Sequence, residues 1–309
     1  MVETSEQIRI LVTGATGMLG KDVAAELSRN GRYRIFGLSR GGTAVSHDRV
    51  EHLSGDLTAF AGLAALVKEI DPSVIIHCAA NTDVDNCEAN KQYTHDLHVG
   101  ATGVLAAYRP DTVKFYYIST DSVFDGEKGG YTEQDQPRPL NYYALSKYEG
   151  ERAALDNNHS AVVLRTNIYG YHIPFKRSLV EWAVQNWERH AVIKGYTDVY
   201  FNPLYTRQLA RVIVRLLQKN SAAGVINVGC AQMISKYDFL ALVAKEFGYE
   251  AHLLVSTTSD ANLSAKRPKN TTLDVAAMRR TVGDIPDIAA GIKELRSDLL
   301  SGGTFHGNR

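Results

Sequence analysis

Thr13-Gly14-Ala15-Thr16-Gly17-Met18-Leu19-Gly20 follows the apolar run Ile8-Arg9-Ile10-Leu11-Val12 and leads into Leu19, Val23 and Leu27, which are spaced for one helix face. A strand, a glycine loop and a helix in that order aim free N–H groups and a partial positive charge at one point, a seat for phosphate. Gly14 makes the tight turn, Gly17 lets a pyrophosphate reach the backbone, and Gly20 lets helix and strand pack closely. The spacing is Gly-x-x-Gly-x-x-Gly rather than Gly-x-Gly-x-x-Gly. Alone the stretch also reads as an ordinary strand-to-helix turn; its setting favours a dinucleotide.

Outward from this loop, strands and helices alternate. Residues 33–38, 74–78, 113–118 and 161–164 are buried-type strands, and Phe60, Leu63, Val67 and Ile70 form a helical stripe that stops at Asp71-Pro72. The first helix should end at Asn30-Gly31. Near-continuous apolar strands separated by helices predict an α/β fold, a Rossmann-type doubly wound parallel sheet. Further on, Leu209, Val212, Ile213 and Leu216 mark a helix, residues 225–228 a strand, and Ser235 with Asp238 a capping box for a helix reaching Phe247. The expected division is 1–170, mainly an NAD(P)-binding Rossmann domain to which segments near 200–230 return, and 171–309, mainly a smaller C-terminal α/β substrate region. From Ser301-Gly302-Gly303 onward a frayed tail is expected.

The 309 residues are 44% hydrophobic and carry 34 basic and 34 acidic side chains. That length suffices for a sizeable core, and a balanced charge gives no electrostatic reason to expect nucleic acid or membrane as partner. Cys78, Cys87 and Cys230 lack CxxC spacing, so neither a disulfide framework nor a metal site is expected, in keeping with a reducing cytoplasm. The first strand begins by about Ile8, which leaves no room for a signal peptide, and no apolar run approaches ~20 residues.

Chemistry enters with Ser119-Thr120-Asp121 at a strand end and Tyr143-x-x-x-Lys147 on a helix. A tyrosine hydroxyl titrates near ~10. A lysine ammonium one turn away should lower that value and can also hold a cofactor ribose. Tyr143 would then donate a proton to a carbonyl oxygen while hydride arrives from a nicotinamide, with Thr120 polarising the same oxygen. Leu38-Ser39-Arg40, at the end of the second strand, has no carboxylate for ribose hydroxyls; Arg40 can instead pair with a 2′-phosphate, or be a solvated surface charge. The cofactor expected is therefore NADPH, with NADH possible. Asp56 can accept a hydrogen bond from an adenine amino group.

These motifs, with His77-Cys78-Ala79-Ala80-Asn81-Thr82 and Leu164-Arg165-Thr166-Asn167-Ile168-Tyr169-Gly170, resemble the extended short-chain dehydrogenase/reductases over nearly the whole chain. More narrowly, residues 119–126 and Arg267-Pro268 followed by Leu273-Asp274 resemble the dTDP-4-dehydrorhamnose reductases. The resemblance implies Thr120, Tyr143 and Lys147 as the catalytic set. It implies Gly14, Thr16, Gly17, Met18, Leu19, Asp56, Ala79 and Ala80 at the cofactor, with Ser39, Arg40, Leu57 and Asn81 beside them and Tyr143 and Lys147 reaching it. Thr82, Val84, Asp121, Ser122 and Ile168 fall on sugar-contacting positions, joined by Thr120 and Arg267. A nucleotide-sugar substrate and a homodimer are expected.

Three departures stand out. Ser122 replaces a usual aromatic and Ile168 a usual tryptophan, which puts the deoxyhexose itself in question. The usual Asp-Gln-x-Gly-x-Pro-Thr stretch is Asp198-Val199-Tyr200-Phe201-Asn202-Pro203-Leu204 here. His98 stands where relatives place a bracing asparagine and is expected to be structural rather than a base. Related 4,6-dehydratases carry Thr-Asp-Glu where this chain has Thr120-Asp121-Ser122, so simple reduction is expected over a dehydratase or epimerase. A non-catalytic subunit of the same fold, like the regulatory subunit of methionine adenosyltransferase, remains the alternative.

Overall fold

In a computed structural model of the protein, which describes residues 7–41, 49–220, 222–259 and 266–301, the first half alternates as the sequence pattern requires. It runs β1 (Ile8–Thr13), α1 (Gly20–Ser28), β2 (Tyr33–Ser39), β3 (Val50–Ser54), α2 (Phe60–Ile70), β4 (Val74–His77), α3 (Val84–Ala89) and α4 (Lys91–His95). A π-helical turn, Asp96–Gly100, joins α4 to α5 (Ala101–Ala106), before β5 (Lys114–Ile118), α6 (Tyr142–Asn157) and β6 (Val162–Thr166). The second half contributes short strands β7 (Ile168–Tyr169), β8 (Ile193–Tyr196), β9 (Tyr200–Phe201) and β10 (Leu204–Tyr205), then β11 (Gly224–Val228), β12 (Ile234–Ser235) and β13 (Leu254–Thr257). Its helices are α7 (Leu179–Trp187), α8 (Thr206–Lys219), α9 (Lys236–Phe247), α10 (Ala276–Val282) and α11 (Ile288–Ser301).

Seven strands form one parallel sheet in the order β11-β6-β5-β4-β1-β2-β3. Because successive side chains of a strand alternate faces, Ile10 and Val12 join the apolar layer under α1 and α8, while Leu11 joins the layer under α2 and α5. The first of these layers continues without a break through Trp187 and Phe239 to Leu299. The strand order reverses between β1 and β4, and at such a point the carboxyl ends of neighbouring strands leave a crevice that binds ligands.

Some expected boundaries move. α1 stops at Ser28 because Asn30 is used in a turn: its carbonyl accepts from Tyr33 N (3.1 Å) and its side chain from Arg32 N (3.1 Å). β6 continues past Leu164 because Arg165, though charged, is buried by a two-pronged ion pair with Glu151, with Nη2–Oε2 at 2.7 Å. Ser235 caps α9 by accepting from Asp238 N, but Asp238 takes the serine hydroxyl proton (2.6 Å) rather than the backbone N–H, so half of the box forms. A complete capping box joins Ser178 and Glu181 on α7. The expected tail beyond Ser301 lies outside the described residues. Cys78, Cys87 and Cys230 are free thiols. Among the described residues no helix is long and apolar enough to cross a membrane, and no cluster of His, Cys, Asp or Glu is arranged to hold a metal ion.

Candidate active site

The crevice opens into a cavity of about 790 Å³. One wall is the glycine loop. Gly14 has φ +66°, and a Cβ there would lie 2.9 Å from Ala79 N and Cα, so only glycine lets the ends of β1 and β4 touch. A Cβ on Gly20 would lie 2.1 Å from Gly14 O, so the close approach made there is of the helix start to the loop, where the sequence suggested helix to strand.

Most of the expected site residues come together around this cavity. Gly14, Thr16, Gly17, Met18 and Leu19 line it, as do Ser39, Arg40 and Leu57 at its outer end. Ala79, Ala80, Asn81 and Thr82 form its floor, and Thr120, Ser122, Tyr143, Lys147 and Ile168 its inner part.

Four expected residues do not reach the wall, each for a visible reason. Asp56 is exposed and turned to Thr58, accepting from its N (2.9 Å) and Oγ1 (2.8 Å); those bonds hold its carboxyl below the usual range. Val84 opens α3, but the cap residue Asp83, not Val84, faces the cavity. Arg267 is exposed, with Nη2 3.4 Å from Asp85 Oδ2. Asp121 is fully buried beneath the site, accepting from Thr120 (3.2 Å), Ser122 (3.3 Å), Asn167 (2.8 Å) and Thr271 (2.5 Å). Burial pushes its pKa up and these donors pull it back, so its oxygens are committed to the protein rather than to a sugar.

α6 sets the inner chemistry. Its cap Asn141 accepts from Ala144 N (2.9 Å), and its first turns place Tyr143 and Lys147 on the cavity side. Lys147 is almost wholly buried; Nζ donates to Ile118 O (2.6 Å) and lies 4.0 Å from the Tyr117 ring centre. Burial lowers its pKa to about 7, against an opposing pull from Glu151. Tyr143 differs from expectation. Its hydroxyl is pushed up by burial and pulled down by the Thr120 hydroxyl, while the Lys147 ammonium is turned to the Ile118 carbonyl. The phenol is therefore held protonated.

His98 is the brace between floor and helix. Asn81 N can only donate, and it points at His98 Nε2 (2.9 Å), so the ring proton sits on Nδ1, which faces Ser146 Oγ at 2.8 Å. Ser146 in turn donates to Tyr143 O (2.9 Å). Burial drops the His98 pKa to about 2. A neutral ring with both nitrogens engaged serves as structure, as the sequence implied, and the π-helical turn aims it there.

Sequence reasoning missed several lining residues. Tyr93, His172, Lys176 and Arg177 face the cavity and lie outside the quoted motifs, and Asn167, which lies inside the 164–170 stretch, faces it without having been singled out. The Ser178-x-x-Glu181 capping box just after Lys176-Arg177 was the available signal for that loop: Glu181 accepts from His172 N (2.7 Å), Lys176 N (3.1 Å) and Ser178 N (2.7 Å) and so fixes its shape. The described lining has three cationic side chains, Arg40, Lys176 and Arg177, with the partly charged Lys147 beside them, against the single carboxylate of Asp83.

A Rossmann sheet, a glycine loop at its switch point and a Thr-Tyr-Lys set in one cavity define an extended short-chain dehydrogenase/reductase. The model of the family described as RmlD substrate binding domain matches residues 8–300, and the chain belongs to that family. It is 30% identical over 306 residues to the mouse protein named Methionine adenosyltransferase 2 subunit beta, covering 93% of this chain and 86% of the relative. It is 31% identical over 300 residues to a probable low-salt glycan biosynthesis reductase of Haloferax volcanii, covering 94% and 99%. Among solved structures, a hypothetical dTDP-4-dehydrorhamnose reductase from Sulfolobus tokodaii superposes with TM-score 0.80 at 29% identity, covering 91% of this chain and 98% of that one.

Proposed function

We propose that the protein reduces the 4-keto group of a nucleotide-activated sugar with NADPH. The observation that carries this reading is the placement of the Tyr143 hydroxyl beside Thr120 and one turn from Lys147, in the cavity that the glycine loop opens onto. The residues fit a dinucleotide. The bare backbone at Gly14 and Gly17 and the start of α1 suit a pyrophosphate, and Lys147, in the lining of the same cavity, suits the ribose. Arg40 suits a 2′-phosphate, since no carboxylate at the end of β2 competes for it. The cofactor would supply hydride to the carbonyl carbon. Thr120 polarises the carbonyl oxygen, and Tyr143 Oη delivers the proton that completes the alcohol. Ser122 in place of an acid leaves no second group for elimination, which supports reduction over dehydration. The surplus of cations in the cavity supports a substrate that carries phosphate, and the Sulfolobus and Haloferax relatives, both named as reductases, support the class.

The similarity to Methionine adenosyltransferase 2 subunit beta supports a second reading, in which the chain binds dinucleotide as a non-catalytic subunit of another enzyme. One experiment separates them: NADPH oxidation by the purified chain against a panel of NDP-4-keto sugars, beside a pull-down with a methionine adenosyltransferase catalytic subunit. The first reading predicts oxidation with at least one sugar nucleotide. Binding of NADPH without oxidation, together with assembly, would establish the second.

A further inference from the structure

Arg40 stands at the end of β2 on the outer part of the cavity, where it is exposed. No acidic side chain among the described residues lies within ion-pair distance of it, although Asp56 feels its charge. An exposed arginine of this kind samples many rotamers and presents no fixed edge to a ligand. Here one contact restrains it: the guanidinium carbon lies 5.4 Å from the centre of the Tyr93 ring. Tyr93 comes from α4 and lines the same cavity, and its ring packs against the apolar layer beneath the sheet. Its hydroxyl is buried and has no hydrogen-bond partner among the described residues. The hydroxyl therefore contributes nothing to holding Arg40; the ring face does.

We infer that Tyr93 is a positioning residue for cofactor selectivity: by stacking the Arg40 guanidinium it holds that group's N–H edge toward the place where a ribose 2′-phosphate would lie. A planar cation resting on an aromatic face keeps its in-plane donors free for an oxyanion, which an ammonium could not do in the same way. The inference rests on the reading of Arg40 given above.

The test is the dissociation constants of NADPH and NADH, read by nicotinamide fluorescence on the full chain, so that no sugar substrate is needed. Tyr93→Phe keeps the ring and should keep the wild-type preference. Tyr93→Leu should reduce the NADPH-to-NADH preference roughly three- to fivefold, through NADPH alone. In an Arg40→Ala background, Tyr93→Leu should cause no further change in the ratio. Tyr93→Met fills similar space without an aromatic face and replaces the leucine variant if that one does not fold. An unchanged ratio in Tyr93→Leu, equal weakening of both nucleotides, or loss of preference in Tyr93→Phe would each overturn the inference. Absence of any NADPH preference in the wild type would overturn it together with the Arg40 reading. A ratio sensitive to Arg40→Ala but not to Tyr93→Leu would remove this inference alone.

Discussion

The two walls of the cavity are built differently. The wall of the glycine loop, the β4 end and α6 consists of strand ends and helix starts whose atoms are fixed by sheet register and by short bonds between neighbouring elements. Thr13 pairs with His77 in that register, and their side chains meet at 2.6 Å. The opposite wall, from Ile168 to Leu179, is shaped by Glu181, and the buried layer it joins is tied by bonds between residues far apart in the chain. Asn167 and Thr271 converge on Asp121, and Asn202 donates to Cys230 O (3.0 Å) and Leu273 O (2.9 Å). The difference teaches that the first wall sets where reacting atoms sit, while the second shapes what fits, so that selectivity can change without touching the chemistry.

The largest effect should come from the first wall. Tyr143→Phe removes the proton donor and should lower turnover by about 10²–10⁴-fold while leaving the NADPH dissociation constant nearly unchanged. Full turnover in that variant would remove Tyr143 from the chemistry.

The rigidity of this wall has a pH signature. His77 and His98 are both held neutral by burial, with pKa values lowered from 6.5 to about 3 and about 2. Below pH 6.5 the unfolded chain takes up two protons that the folded chain refuses, so stability must fall as pH falls through the window from 6.5 toward about 3. In the middle of that window these two histidines should contribute a slope of about 2.7 kcal/mol per pH unit. Denaturant titrations at several pH values measure it, and His98→Asn should reduce the slope by one proton. Stability indifferent to pH there would contradict the account of His98 as a buried neutral brace.

At the outer end of the same wall, Arg40→Ala should weaken NADPH by about 10- to 100-fold, the worth of a charge-assisted bond, and leave NADH little altered. Equal weakening of both would return Arg40 to an ordinary surface charge.

The second wall gives the smallest effects. Ser122 and Ile168 leave out aromatic contacts worth on the order of 1 kcal/mol each beyond area burial. dTDP-4-dehydrorhamnose should therefore not have the highest kcat/KM of a panel of NDP-4-keto sugars. If it does, the two substitutions carry no selectivity, and the two walls are less independent than described.

The sequence made the first wall legible and the second only in outline. Gly14, Gly17, Gly20 and the Tyr143–Lys147 pair were readable because loop geometry and one helical turn are local. The inward aim of Asp121 was not readable, since it depends on Asn167 and Thr271, 46 and 150 residues away. The direction of the Lys147 ammonium was not readable for a related reason: its partner, the Ile118 carbonyl, is a backbone atom at the end of β5. Arg165 hid the end of β6 because a buried ion pair reads as a surface charge until Glu151 is placed beside it. Tyr93 belongs to no motif, and only the fold brings it to Arg40.

The most direct test of reduction as the activity is to follow NADPH consumption and the sugar product together, by absorbance and NMR, when the wild-type chain is given NDP-4-keto sugars. The account predicts one 4-hydroxy sugar nucleotide formed per NADPH consumed, with no reaction of the same keto sugar lacking its nucleotide. NADPH bound but never consumed with any member of the panel, or an elimination product formed without net NADPH consumption, would contradict it.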